Sequence, residues 1–450
     1  MSGEQREEGL RLRRQLGLRT ATAVVVGETI AVGIFLTPAG MAKSLGSPMW
    51  LLLIWLVMGA MALCGALCYG ELAARFPEAG GGYVYLREAY GRPVAFLYGW
   101  MAFLVMDPGL TAALAVGMAG YAGHIFGLPP AGLKALAVAS ILALAAVNVA
   151  GVRAGAGLLR WLTAAKLCLL LFVVAWGFAS GRGDWANFTP FAAQRPGSAP
   201  LGAALASAFV GAFFSFGGWW DLSKLSGEVR EPERNLPRAL AYGVGLVTLA
   251  YVLISAVFVY LVAPGAVTSG ETFAAQAGAA LFGSAGASVF SAVVVVAVLG
   301  SLAALTMSAP RVYYAMARDR LFFRAAARVN PRTGTPAAAI VMQAALASLL
   351  AALGTFEQIV AYFVFVAVLF VGLTVAATFP LRRSRGGAPA FATPGYPLTQ
   401  AVFLTLVALL LVLLAAGSPL QAALGTAVVA LGVPVYYVLF RGKRLSQGES

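Results

Sequence analysis

Charge is what this sequence has least of. Asp and Glu number 17 and Lys and Arg 31 among 450 residues, so 11% of the chain is charged, against about 25% in an ordinary soluble protein. Such a chain cannot clothe a water-facing surface of this size, which excludes a soluble enzyme or binding domain. Histidine is nearly missing, with His124 the single copy. The three cysteines, Cys64, Cys68 and Cys168, each sit inside an apolar segment and offer neither a disulfide framework nor metal-ligand spacing. Without a His/Cys/Asp cluster or a Ser/His pair in the apolar segments, no metal, no cofactor and no enzyme chemistry is expected. The net charge of +14 would suit nucleic acid in a soluble protein; in a membrane protein the position of the positive charges matters more, and no nucleic-acid partner is expected. Residues 1–19 are hydrophilic and Arg-rich, with no cleavable apolar core, so no secretory signal is expected.

What remains is apolar. The chain is 60% hydrophobic with a mean hydropathy of +0.85, and its 52 glycines suit helices that pack closely in lipid. About 20 apolar residues cross a bilayer, and by that rule spans fall near 20–45, 48–74, 94–126, 131–150, 159–180, 203–226, 237–263, 285–318, 336–354, 357–382, 397–416 and 419–441. This predicts an all-α membrane protein of 12 transmembrane helices with both termini on one side. With the N-terminus inside, 26 of the 31 Lys and Arg residues fall in cytoplasmic segments. Lys43, Lys134, Arg182 and Arg195 fall outside, and Lys166 lies within a helix. That skew predicts a multi-pass protein of the cell (inner) membrane with cytoplasmic termini.

Two spans are interrupted in the middle. Helix 1 carries Gly27-Glu28-Thr29-Ile30-Ala31-Val32-Gly33 before Thr37-Pro38, and helix 6 carries Phe213-Phe214-Ser215-Phe216-Gly217-Gly218 before Trp219-Trp220. Broken apolar segments at matching places in two halves point to a transporter's central site. Five spans separate them, an odd number, so the second set of five enters the membrane from the opposite side. The expected organisation is a cytoplasmic segment 1–19, a first repeat 20–180, an inverted second repeat 203–382, two further helices within 397–441 and a tail 442–450. Unwinding at Gly33 and Gly217 would free mid-membrane N–H groups for a carboxylate and carbonyls for an ammonium.

The sequence resembles the amino acid–polyamine–organocation superfamily, especially its L-type amino acid transporter branch. The likeness runs over nearly the whole chain. It is carried by Gly33-Ile34-Phe35, Gly70-Glu71-Leu72, Phe76-Pro77, Gly80-Gly81-Gly82-Tyr83-Val84-Tyr85, Thr163-Ala164-Ala165-Lys166, Phe216-Gly217-Gly218-Trp219, Glu228 with Pro232-Glu233-Arg234-Asn235-Leu236-Pro237, and Pro310-Arg311-Val312-Tyr313-Tyr314. The resemblance implies a LeuT-like 5+5 inverted repeat with helices 1 and 6 unwound, plus two C-terminal helices. It places the substrate among Thr29, Ile30, Ala31, Val32 and Gly33 on helix 1 and Phe214, Ser215, Phe216, Gly217 and Trp220 on helix 6. Backbone near Ala31, Val32 and Gly33 would take the carboxylate, carbonyls near Thr29, Phe214 and Gly217 the amine, and Phe214 would gate the site. Lys166 resembles a built-in substitute for a coupling cation, bonding helix-1 carbonyls near Thr29 and Ile30 and able to exchange a proton.

Departures from the family pattern are also present. Ala31-Val32-Gly33 replaces the usual Gly-Ser-Gly, and Trp220 stands where a small polar residue is common, so it either shrinks the pocket or turns away. Glu28 is unusual for the family and reads as a counter-ion for Lys166, a proton carrier or a polar residue in a water-filled vestibule. Asp107-Pro108 reads as a proline kink whose carboxylate reaches freed backbone or a basic partner, and His124 as structural. Glu71, Glu78, Glu228, Arg311 and Arg318 read as partners that close the inner side. The expected function is sodium-independent secondary transport of small or neutral amino acids, as an exchanger or proton-coupled carrier; the alternative is a polyamine or organic-amine transporter. The partners are a small-molecule substrate and the lipid bilayer. L-type carriers of animals pair with a heavy chain through a disulfide, and with no cysteine in an outer loop no covalent heavy-chain partner is expected.

Overall fold

The computed structural model describes residues 12–263, 273–354, 356–384 and 389–440. Arg6, Arg11, Arg385, Arg441, Lys443 and Arg444 of the charge count, and the tail 442–450, lie outside them. The described chain is all helical apart from one isolated parallel bridge, Leu16 to Val229.

Among the described residues ten helices are long and apolar enough to cross a membrane, and a bent pair makes eleven. The bent pair comes first: α1 (Leu18–Thr29) and α2 (Gly33–Leu45) meet at 47°. Then follow α3 (Pro48–Arg75), a short α4 (Gly82–Tyr90), and α5 (Arg92–Met101), which runs through a π turn (Ala102–Met106) into α6 (Asp107–Phe126). After α7 (Pro130–Ala150) and α8 (Val152–Ala179) comes α9 (Leu201–Phe216), continued beyond a two-glycine break by a 3-10 segment (Trp219–Glu228). The later elements are α10 (Pro232–Leu261), α11 (Phe273–Phe282), α12 (Gly286–Ser308), α13 (Pro310–Arg318), α14 (Ala337–Leu353), α15 (Phe356–Ala376), α16 (Thr378–Ser384), α17 (Leu398–Gly417) and α18 (Pro419–Leu439). α14 is apolar but only 17 residues long.

Three sequence expectations change in detail. The irregularity at Asp107 is a π turn ahead of it, with Pro108 in the first turn of α6, where its missing N–H costs nothing. α8, the fifth expected span, starts at Val152 instead of 159, because Arg153 and Arg160 lie on its exposed face. Lys166 is therefore about 21 Å from the start of its helix at 1.5 Å per residue. Lys224, counted among the loop charges, is buried at 1% exposure.

Packing follows membrane rules. Large apolar side chains such as Trp161, Leu171, Phe172, Leu249, Val412 and Val438 stay exposed, as lipid-facing residues do, while small residues let the helices close inside. A Cβ on Gly59 of α3 would stand 2.4 Å from the Thr248 side chain of α10. The broken α1–α2 and α9 segments lie at the centre of this packing, among α3, α8, α10 and α12.

Candidate functional site

The first break spans Ile30 to Val32. Ile30 donates its N–H to Val26 O, and Ala31 turns back to Thr29 O at 2.9 Å. The N–H groups of Val32, Gly33 and Ile34 donate to no atom of the described residues, as expected for the orphan donors of a helix start. Gly33 is required here by contact: a Cβ would sit 2.6 Å from the Ser215 Cα. Thr37 links the two broken segments, with its hydroxyl 3.0 Å from Gly33 O and 2.8 Å from Ser215 Oγ.

The second break is Gly217-Gly218. Gly217 is extended and Gly218 takes φ +103, a conformation that favours glycine. A side chain at 218 would also meet Glu28, whose Cβ lies 3.1 Å from the position of the added atom. At the end of α9, Phe214 O accepts the Gly217 N–H at 3.3 Å, and no residue beyond Gly217 donates to the Phe213 carbonyl.

Between the breaks lies a cavity of about 60 Å³ lined by Glu28, Thr29, Ala31, Val32, Gly33, Leu110, Leu114, Phe213, Phe214, Ser215, Gly217, Gly218, Trp220, Val364 and Ala367. Phe214 and Val364 also line a second cavity of about 250 Å³, with Thr37, Leu414 and Gln421. Phe214 thus stands between the two cavities. Trp220 turns towards the smaller one, the chamber between the breaks, its ring 6.3 Å from that of Phe213. Two of the residues expected at the site lie off the cavity. Ile30 is fully buried behind it, and Phe216 packs on Trp55 and Tyr251 at 6.2 and 5.0 Å between ring centres. Phe213 and Gly218 of the helix 6 break join the lining beyond the expected contacts, and the sequence gives no sign of Leu110, Leu114, Val364 and Ala367 there.

Lys166, fully buried, reaches the first break from α8. Its Nζ donates to Gly27 O at 3.0 Å, Ile30 O at 2.5 Å and Ser301 Oγ at 3.2 Å. Ser301, on α12, itself lies 2.7 Å from Gly27 O and 3.0 Å from Ile30 O. Gly300 makes room, since a Cβ there would be 2.9 Å from Lys166 Cε. From α10, the Tyr251 hydroxyl lies 2.8 Å from both Thr29 O and Ser215 O and ties the two breaks together.

Ion pairs stack below the cavity. Lys224 Nζ is 2.8 Å from Asp107 Oδ1 and 2.8 Å from Asp221 Oδ1, so the basic partner expected for Asp107 is Lys224. Arg311 holds Glu228 at 2.6 and 3.2 Å, both buried, and Glu228 O accepts the N–H groups of Gln15 and Leu16. Glu71 pairs with Arg382, and Arg87 joins Glu78 and Asp319. Arg318 stands over the Tyr314 ring at 5.9 Å. Burial works against the Arg87 guanidinium, but Asp319, Glu78 and Glu88 outweigh it and push its pKa up. Among the described residues no His, Cys, Asp and Glu group is arranged to hold a metal ion.

A family model for amino acid permeases matches residues 16–440, nearly the whole chain. The chain belongs to the amino acid permease family. The permease is 30% identical over 441 residues to the serine/threonine exchanger SteT of Bacillus subtilis (strain 168), covering 96% of this chain and 98% of that one. It is 29% identical over 435 residues to the human large neutral amino acids transporter small subunit 2, with 96% and 81% covered. It is 30% identical over 383 residues to the human b(0,+)-type amino acid transporter 1, with 83% and 77% covered. These relatives are amino acid transporters, so the permease is a membrane transporter and not an enzyme, and the polyamine alternative is not favoured.

Proposed function

We propose that the permease carries small neutral amino acids by alternating access, independently of sodium, as an exchanger or with protons. The observation that carries this is the pair of facing breaks. Val32, Gly33 and Ile34 offer three unpaired N–H groups at a helix start, suited to a carboxylate, and the end of α9 turns the Phe213 carbonyl, with room for a second donor, towards an amine. Apolar Leu110, Leu114, Phe214, Trp220 and Val364 close a volume sized for a short side chain. The serine usual for the family is Val32 here, so the carboxylate would be held by backbone alone.

Sodium independence rests on Lys166. An ammonium bonded to the Gly27 and Ile30 carbonyls and to Ser301 fills the place where a cation bridging α1 and α12 would bind. We read the bent pair and α14 as spans, giving 12 helices in a LeuT-like 5+5 inverted repeat with two helices appended. The termini are then cytoplasmic, in keeping with the Arg-rich end of the bundle. The stacked ion pairs close that end, and Phe214 covers the chamber from the other side.

The test uses purified permease in liposomes loaded with unlabelled alanine or serine, with uptake of the labelled amino acid followed in sodium or choline buffer. Uptake should depend on internal amino acid or on a proton gradient and be equal in the two buffers. Uptake that requires sodium would remove the role given to Lys166.

A further inference from the structure

Five ionisable side chains are buried around the two breaks: Glu28, Asp107, Lys166, Asp221 and Lys224. Ionised, three carboxylates against two ammonium groups leave one negative charge in excess. Lys224 is shared by Asp107 and Asp221, and Lys166 is held by the Gly27 and Ile30 carbonyls. Glu28 is the member left over. Asp221 and Ser308 lie close enough to interact with it, Lys224 and Lys166 act on it by charge, and no donor meets either carboxylate oxygen at good hydrogen-bond distance and angle. A buried acceptor without a donor is costly, and a carboxylate more so.

Glu28 also lines the chamber. The hydroxyls that line it with Glu28 are both engaged: Thr29 Oγ1 donates to Val25 O at 2.7 Å, and Ser215 Oγ lies 3.0 Å from Gly211 O and 2.8 Å from Thr37 Oγ1. The N–H groups of Val32 to Ile34 and the Phe213 carbonyl suit the two ends common to every amino acid. Among the lining residues Glu28 alone has an ionisable side chain, which makes its carboxylate the strongest acceptor for the variable part. The rest of the wall is apolar, and about 60 Å³ admits on the order of five water-sized groups, so that variable part is short.

We propose that Glu28 determines specificity: its carboxylate accepts a hydrogen bond from the side chain of the transported amino acid, selecting short side chains that carry a hydroxyl or ammonium donor over apolar ones of equal volume. This rests on the amino acid site proposed above. A hydroxyl satisfies the acceptor; an ammonium also cancels the excess charge. An apolar side chain of the same size does neither and leaves both oxygens stranded.

The experiment is competition against uptake of labelled amino acid in proteoliposomes, using pairs matched in volume: threonine with valine, and 2,4-diaminobutyrate with norvaline. Wild type should favour the donor member of at least one pair about tenfold or more, the order expected when a buried acceptor is left without its donor; the pair with the larger ratio tells hydroxyl from ammonium. In Glu28→Leu the ratios should fall to near one. In Glu28→Gln, which keeps an acceptor oxygen but no charge, threonine should keep its advantage and diaminobutyrate lose it. Ratios near one in wild type overturn the proposal, and so do wild-type ratios in Glu28→Leu. Loss of all uptake in Glu28→Gln, with the purified protein folded, also overturns it, because Glu28 would then serve the common part of the substrate. The wild-type ratios and Glu28→Gln carry the test if Glu28→Leu fails to fold. Wild-type protein that transports no amino acid of the panel defeats the amino acid site itself, which the ratios alone would not.

Discussion

Removing one oxygen atom tests how the two broken helices are held together. The Tyr251 hydroxyl lies 2.8 Å from Thr29 O and 2.8 Å from Ser215 O, and its single proton is shared between them. The ring is fully buried, edge-on to Trp55 and Phe216 at 5.2 and 5.0 Å. Tyr251→Phe keeps those ring contacts and deletes the tie alone. Thr29 O retains the Ala31 N–H at 2.9 Å, whereas Ser215 O has no other donor among the described residues. Leaving one buried acceptor unpaired costs about 1–3 kcal/mol, and states in which the breaks have separated never had the bond to lose. The equilibrium between tied and separated arrangements should therefore shift about 5- to 150-fold. Hydrogen–deuterium exchange reads such local opening directly. The amides of Ile30 and Ala31, bonded to Val26 O and Thr29 O, should exchange faster by that factor, while those of α7 stay unchanged. Protection at 30 and 31 equal to wild type would show that the tyrosine carries no tie.

The remaining predictions concern single contacts. Lys166→Met should abolish exchange and lower the Tm, since Ile30 O keeps only the Ser301 hydroxyl; uptake at the wild-type rate would show that the ammonium is dispensable. Gly33→Ala should lose transport while still reaching the membrane, because its Cβ would press on the Ser215 Cα at 2.6 Å, where backbone cannot yield; wild-type uptake would mean that the breaks lie farther apart. Glu228→Gln leaves Arg311 buried without its counter-charge, which costs about 3–5 kcal/mol, and should lower the Tm in detergent by several degrees; an unchanged Tm would show the pair to be solvated.

Both breaks were legible because they depend on local chemistry. Glycines and polar residues inside an apolar run announce lost winding, and the five-span separation follows from counting. Which group meets each freed carbonyl is tertiary information. Ser301 lies in the apolar stretch Val298-Leu299-Gly300-Ser301-Leu302, and there it looks like any helical serine that bonds its own backbone; it does lie 3.3 Å from Ala297 O as well. Tyr251 sits among Leu249, Val252 and Leu253, where a lipid-facing ring is equally plausible from sequence. Lys224 is legible as a charge at the edge of the span 203–226, although it also counts among the cytoplasmic charges; its partner is not legible. The 3-10 segment carries Lys224 back under the cavity to Asp107, 117 positions earlier.

The cation between α1 and α12 has a consequence for coupling. A bound metal ion can leave with the substrate and so spend its own gradient. The Lys166 ammonium is tethered to α8 and crosses to neither side, so the Gly27 and Ile30 carbonyls cannot couple transport to an ion that departs. On the proposed reading, the driving force must come from a counter-substrate or from a proton, and Glu28 separates the two. If uphill uptake follows the internal amino acid alone, Glu28→Gln should alter which amino acids exchange and leave the insensitivity to an imposed proton gradient intact. If protons drive uptake, the same variant, with no carboxylate to carry one, should lose accumulation against a gradient while keeping one-for-one exchange. Counterflow and proton-driven uptake measured on one preparation of that variant distinguish the outcomes, and equal accumulation by wild type and variant under a proton gradient would rule out Glu28 as the coupling group.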